Sequence, residues 1–121
     1  MIQAAFFSLV GDYAVFQGED WFLDFTVEDG AGQAENLTGY DQTWVQFRDD
    51  RSPSSQLEAT GVCTITAPAN GGVRIAIPYA TTLGMVADAG AYTVEIAKSG
   101  VSGSRRRILW GEYELSKTTV N

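Results

Sequence analysis

The sequence contains no histidine, a single cysteine (Cys63) and no long apolar run. Without histidine the chain cannot assemble a Ser-His-Asp triad, a Cys-His pair or the common histidine-containing zinc sites. Most nucleophilic and zinc hydrolase mechanisms are thereby excluded. One cysteine cannot close an internal disulfide, so the fold does not depend on an oxidising compartment. Val62 and Thr64 bring no positive charge beside Cys63 to lower its pKa. Free cysteine behaves as a small apolar residue, and Cys63 is expected to be buried. No stretch approaches the roughly 18 consecutive apolar residues of a membrane span. Ile2 to Val10 is apolar, yet it is short and lacks the basic flank of a signal peptide. The expectation is a soluble, cytoplasmically made chain with no membrane partner.

What is present points to one folded domain. The 121 residues are 45% hydrophobic and only 19% charged, outside the range of chains too polar to offset their ordering entropy. At this length a single core removes about two-thirds of the unfolded surface from water, leaving roughly 6,000 Å² exposed. Eight basic against fifteen acidic side chains give a net charge of −7, which opposes nucleic-acid binding by the body as a whole.

The dominant pattern has period two, which places alternate side chains on opposite faces of a strand. Trp21, Leu23, Phe25 and Val27 share one face, with Asp24, Thr26 and Glu28 on the other. The glycine-rich run Asp29-Gly30-Ala31-Gly32-Gln33 ends that strand. In Thr43 to Arg48, Val45 and Phe47 face one way and Trp44, Gln46 and Arg48 the other. A polar loop, Asp49 to Ser55, contains Pro53 and cannot continue a central strand. Further strands are predicted over Gln56 to Thr60, Val62 to Ala67, Val73 to Ile77, Ala91 to Lys98 and Arg106 to Ser116. Asn70-Gly71-Gly72 reads as a hairpin turn, and Tyr79 to Val86 as one short helical turn. In the last strand, strict alternation puts Leu109, Gly111, Tyr113 and Leu115 on one face and Ile108 with Trp110 on the other. Seven to nine short strands punctuated by glycine and proline predict an all-β, antiparallel β-sandwich with a core built on Trp21, Phe25, Phe47 and Tyr92.

Several segments occur in a telling order: Gln17-Gly18-Glu19-Asp20, Asn36-Leu37-Thr38-Gly39-Tyr40, the strand closing on Arg48, Ile75-Ala76-Ile77-Pro78, Ala89-Gly90-Ala91-Tyr92, and Arg107-Ile108-Leu109-Trp110-Gly111-Glu112-Tyr113. From about Tyr13 to Leu115 this set resembles the small immunoglobulin-like domains of tailed-bacteriophage structural proteins, including the N-terminal domain of phage baseplate upper proteins. The resemblance implies an immunoglobulin-like sandwich that attaches virion parts to one another, with no catalytic residues, cofactor or metal to carry over. The sequence stops shortly after that region, and a small standalone adaptor is the expectation.

Candidate sites remain. Leu37 and Tyr40 can anchor a connection onto the core while Gly39 permits the reversal. Tyr92 reads as a core aromatic, with a tyrosine corner as the alternative. Asp29, Glu35 or Asp41 could hold an edge-loop cation, but the spacing does not follow an EF-hand, and solvated turn acids are the better reading. Glu19 and Asp20 form a nominal carboxylate pair in a domain with little room for a substrate cleft. Arg105, Arg106 and Arg107 concentrate positive charge on an acidic body. They read as a solvated hairpin end or as a dock for an acidic patch of another subunit, where the planar guanidinium pairs well with carboxylates. Nucleic acid is disfavoured because the acidic body repels it and no aromatic platform interleaves with the arginines. Phe6 and Phe7 lie in the apolar N-terminal run, which is either the first strand or an arm that packs on a neighbour.

The expected organisation is residues 1–12 as strand or docking arm, 13–117 as the sandwich and 118–121 as a tail. The expected function is non-enzymatic: a virion structural adaptor, in several copies, that contacts other phage virion proteins at tail, baseplate or fibre. The alternatives are a head decoration protein and a carbohydrate- or receptor-binding module using Trp44, Trp110 and Tyr79 as platforms.

Overall fold

The computed structural model describes residues 6–50 and 55–117. The middle of the predicted polar loop, the C-terminal tail and the first five residues lie outside the described residues.

Among the described residues eight strands follow in chain order: β1 (Val15–Phe16), β2 (Trp21–Thr26), β3 (Gln42–Arg48), β4 (Leu57–Thr60), β5 (Val62–Ala67), β6 (Gly72–Ile77), β7 (Ala89–Ala97) and β8 (Arg106–Ser116). One helix, α1 (Tyr79–Leu83), lies between β6 and β7, where the sequence predicts a helical turn. The strands form a five-stranded sheet in the order β1-β8-β7-β3-β4 and a three-stranded sheet in the order β2-β6-β5. All pairings are antiparallel except β1 with β8. The chain is an immunoglobulin-like β-sandwich.

Period-two patterning produces the layers. Trp21, Leu23 and Phe25 of β2 and Val73, Ile75 and Ile77 of β6 turn inward from the smaller sheet. Val45 and Phe47 of β3, Tyr92, Val94 and Ile96 of β7, and Leu109 and Tyr113 of β8 meet them from the larger one. Phe47 sits at the centre, edge-on to Trp21 at 5.9 Å and to Tyr113 at 5.0 Å, and stacked on Tyr92 at 5.5 Å. Each such ring stabilises the fold by about 1.5–3 kcal/mol through burial alone. Gly61 turns the chain from the larger sheet into the smaller: a Cβ there would overlap the Ala76 carbonyl and the Val45 side chain.

Connections carry the expected turn chemistry. Asp29 accepts hydrogen bonds from the Ala31 and Gln33 amides, which closes the glycine-rich turn. Leu37 is fully buried, Tyr40 packs on the core, and Gly39 takes φ +96° between them. The Glu58 carboxylate accepts from the Val86 and Ala87 amides and so ties β4 to the connection after α1.

Three expectations need correction. Cys63 is half-buried against the core, not fully buried, because it lies on β5 at the margin of the smaller sheet. Ile108 is not an outward residue beside Trp110. A β-bulge pairs Val94 with Leu109 and Glu95 with Arg107, so Ile108 is an extra residue and both Ile108 and Leu109 are buried. Finally, the strand predicted from Ala91 begins at Ala89, with Gly90 opposite Tyr113.

Candidate functional site

The outer face of the five-stranded sheet gathers most of the residues singled out in the sequence. Trp44, Gln46 and Arg48 of β3, Ala91, Thr93 and Glu95 of β7, and Trp110, Glu112 and Glu114 of β8 all project away from the core. The β8 bulge brings Arg107 onto the same face as Trp110. The register then sets three rows across the sheet: Arg107–Glu95–Trp44, Trp110–Thr93–Gln46 and Glu112–Ala91–Arg48.

Two arginines lie over the two tryptophans. The Arg105 guanidinium sits 3.8 Å from the Trp44 ring centre and donates to Glu95 at 2.8 Å. Arg107 sits 4.4 Å from the Trp110 ring centre, and no carboxylate among the described residues pairs with it. A guanidinium held over a ring by a cation–π contact still has N–H donors that can meet an anion. The stacks also hold the arginine stems still, which lowers the entropy lost when a partner docks. Small side chains at Ala91 and Thr93 leave an open depression of about 290 Å³, bordered by Gln46, Arg48, Asp50, Arg107 and Trp110.

Arg106 does not belong to this face. It points to the other side of β8 and forms an ion pair with Glu35 in the β2–β3 connection, which holds its pKa above the usual guanidinium value. The three consecutive arginines therefore do not make one patch. The expectation that no aromatic interleaves with them is also overturned: Trp44 comes from β3, far away in sequence, and Trp110 is reached only through the bulge.

The N-terminal segment borders the same face. Phe7 N–H donates to the Trp110 carbonyl at 2.8 Å, Leu9 N–H to Glu112 at 2.8 Å, and Glu114 N–H to Leu9 at 2.9 Å. Residues 6–9 thus run parallel to β8, in line with β1. Leu9 is fully buried, and Phe7 packs against the core, edge-on to Tyr13 at 5.2 Å. Phe6, opposite Trp110, is half-exposed. Of the two roles left open by the sequence, this described part occupies a strand position on its own chain.

Two residues make that docking possible. Gly111 has no Cβ, and one built there would overlap the Phe7 carbonyl. The Tyr92 hydroxyl donates to that same carbonyl at 2.6 Å, and burial raises its pKa. Its acceptor is the N-terminal segment and not the backbone just upstream of Tyr92, so this is no tyrosine corner.

Of the remaining acidic candidates, Asp20 and Asp41 use their carboxylates in internal contacts, and Glu19 contributes its backbone carbonyl. Asp20 accepts from the Tyr79 amide, the Glu19 carbonyl accepts from the Thr82 hydroxyl, and Asp41 accepts from the Ser99 amide. That last bond holds the Asp41 carboxyl below its ordinary value. Asp29 and Glu35 are engaged as described above, and no cluster of three metal-ligating side chains occurs among the described residues. No helix among them is long and apolar enough to cross a membrane.

No protein-family model matches the chain, and no curated protein matches it. Among solved structures it is similar to the N-terminal domain of phage TP901-1 ORF48, with a TM-score of 0.54 and 12% identity, over 96% of this chain and 100% of that one. The filamin domain of Lin-41 aligns more weakly, with a TM-score of 0.38 and 19% identity over 84% and 81% of the two chains. The resemblance to phage immunoglobulin-like domains read from the sequence is met in the fold: over almost its whole length the chain shares its sandwich with a domain of a phage protein.

Proposed function

We propose that this chain is a non-enzymatic structural component of the bacteriophage virion, an adaptor that joins tail, baseplate or fibre components by protein–protein contacts. The observation that carries the reading is the shared fold: the similarity takes in the whole of a phage protein's N-terminal domain and nearly all of this chain. The surface agrees with it. The outer face of the larger sheet offers aromatic groups under immobilised arginines, the residue types enriched where proteins bind one another. A standard interface takes about 800 Å² per partner. Two or three would cover a large share of the 6783 Å² surface.

The same geometry disfavours the carbohydrate-binding alternative. Trp44 and Trp110 are each overlaid by a guanidinium, so neither presents a bare ring for a sugar to stack on without first displacing an arginine. Mass spectrometry of purified virions tests the proposal: the polypeptide is expected in several copies per particle. Virions that lack it altogether overturn the reading. Density for the domain on the capsid surface would move it to the head decoration alternative.

A further inference from the structure

Of the arginines among the described residues, Arg74 holds Asp24, Arg105 holds Glu95 and Arg106 holds Glu35. Arg48 and Arg107 pair with no carboxylate among the described residues, although the chain carries fifteen acidic side chains. Both border the depression on the outer face of the larger sheet. Strand register makes that depression. Ala91 and Thr93 are short and stand on the middle strand β7, between Arg48 and Gln46 of β3 and Trp110 of β8. Arg107 starts one row away, opposite Glu95, and reaches back over the Trp110 ring, which brings its guanidinium to the β8 side of the depression. On the β3 side Arg48 donates to the Ser55 carbonyl at 3.0 Å and to the Gln46 side chain at 3.4 Å, which orients its guanidinium and leaves N–H donors unspent. Asp50 stands on the border and forms an ion pair with neither arginine. The border thus carries two positive charges against one negative.

We infer that this depression seats the carboxylate of a glutamate or aspartate side chain presented by another polypeptide, between Arg107 and Arg48. Charge complementarity selects the carboxylate, whose two oxygens match the paired N–H donors of a planar guanidinium. Gln46 and Thr93 border the same space and add an amide and a hydroxyl as further donors. The volume selects a side chain: about 290 Å³ falls at the lower end of cavities that enclose a small molecule, roughly 300–1,000 Å³. The depression also opens onto the face of a five-stranded sheet, on which a protein can lie. A long polyanion is disfavoured, because the net charge of −7 repels it as a whole while one partner carboxylate meets only the local field. Binding leaves the Arg107–Trp110 contact in place, since that contact uses the ring face and the carboxylate uses N–H donors. The seat thus draws on one member of the Arg105-Arg106-Arg107 run and on one arginine from β3. This inference rests on the reading of the outer face as a protein-contact surface and names the chemistry that its partner brings.

The test is an NMR titration of the full chain with the blocked tripeptide acetyl-Gly-Glu-Gly-amide, beside its Gln counterpart and inorganic phosphate, at matched low ionic strength. Saturable shifts are expected at the Ala91 and Thr93 amides and at the Arg107 Nε–H, with a dissociation constant in the millimolar range. The Gln peptide should bind there about tenfold more weakly, because it lacks the charge. Arg107→Gln and Arg48→Gln should each weaken the Glu peptide by about tenfold. Arg105→Gln should leave its affinity unchanged, since that guanidinium is held by Glu95. The amide spectrum of each variant checks the fold. Arg107 is exposed, so its variant stays decisive if loss of the Arg48–Ser55 contact disturbs the neighbouring loop. The inference is overturned by the absence of saturable shifts, by equal binding of the Gln peptide, or by a folded Arg107→Gln chain of unchanged affinity. Phosphate that binds the same residues more tightly than the Glu peptide also overturns it and makes the ligand a phosphoryl group. A chain present in virions that binds no carboxylate strikes this inference alone, and a carboxylate-binding chain absent from virions strikes only the proposed role.

Discussion

Replacing Gly111 by alanine should detach the N-terminal segment from β8 while leaving the sandwich standing. The new Cβ would overlap the Phe7 carbonyl, a backbone atom with no flexible end to yield. Relief requires residues 6–9 to lift away. Lifting exposes Leu9, which is fully buried, at a cost of about 1.5–3 kcal/mol. It also gives up the Tyr92–Phe7 hydrogen bond, worth about 1 kcal/mol net. The backbone bonds of the segment exchange for water and add little. A loss of about 2–4 kcal/mol follows, bounded because the segment can detach without unfolding Phe47 and its neighbours. For a chain of 121 residues this lowers the melting temperature by about 8–16 °C. Amide hydrogen exchange localises the effect: the Phe7, Leu9 and Glu114 amides should lose protection while those of β3 and β7 keep theirs. An unchanged melting temperature with full protection at Leu9 would refute the reasoning. Tyr92→Phe acts on the same carbonyl and should cost about 1–3 kcal/mol; combined with Gly111→Ala it should add little, since both break one contact.

Further outcomes follow from individual contacts. Burial pushes the Cys63 thiol from 9.0 to about 11 and the Tyr113 hydroxyl from 10.0 to about 12. Both groups ionise more readily in the unfolded chain, so their contribution to stability should be level below pH 9.0 and fall as pH rises, toward about 11 for Cys63 and about 12 for Tyr113. Cys63→Ala should remove the first part of that fall in denaturant titrations run across this range. Glu58→Ala leaves the Val86 and Ala87 amides without their acceptor and should cost about 1–3 kcal/mol, measured as a shift in urea midpoint; Glu58→Gln should retain much of the difference. Glu35→Gln breaks a partly exposed ion pair, so the loss should stay within about 1 kcal/mol and shrink in high salt.

Period two alone specified the inward faces of β2, β3 and β7, because a one-residue slip would carry Phe25, Phe47 or Tyr92 into water. It failed on β8. A bulge obeys backbone register with a neighbouring strand, and nothing local to Ile108 announces it. The turns at Asp29 and Gly39 were legible because their chemistry is local. The role of Gly111 was not, since the atom it makes room for lies on Phe7.

Composition and spacing by themselves determined the class: a two-layered β domain without histidine chemistry, its core aromatics and most of its turns. The tertiary structure alone decided the surface. It separated Arg106 from Arg105 and Arg107, laid those two on tryptophans from two different strands, and set the N-terminal segment on its own β8. The physical reason is range. Burial and turn preference act through near neighbours in sequence, whereas the face that meets a partner is assembled by strand pairing between residues as much as 104 positions apart, as with Phe6 and Trp110.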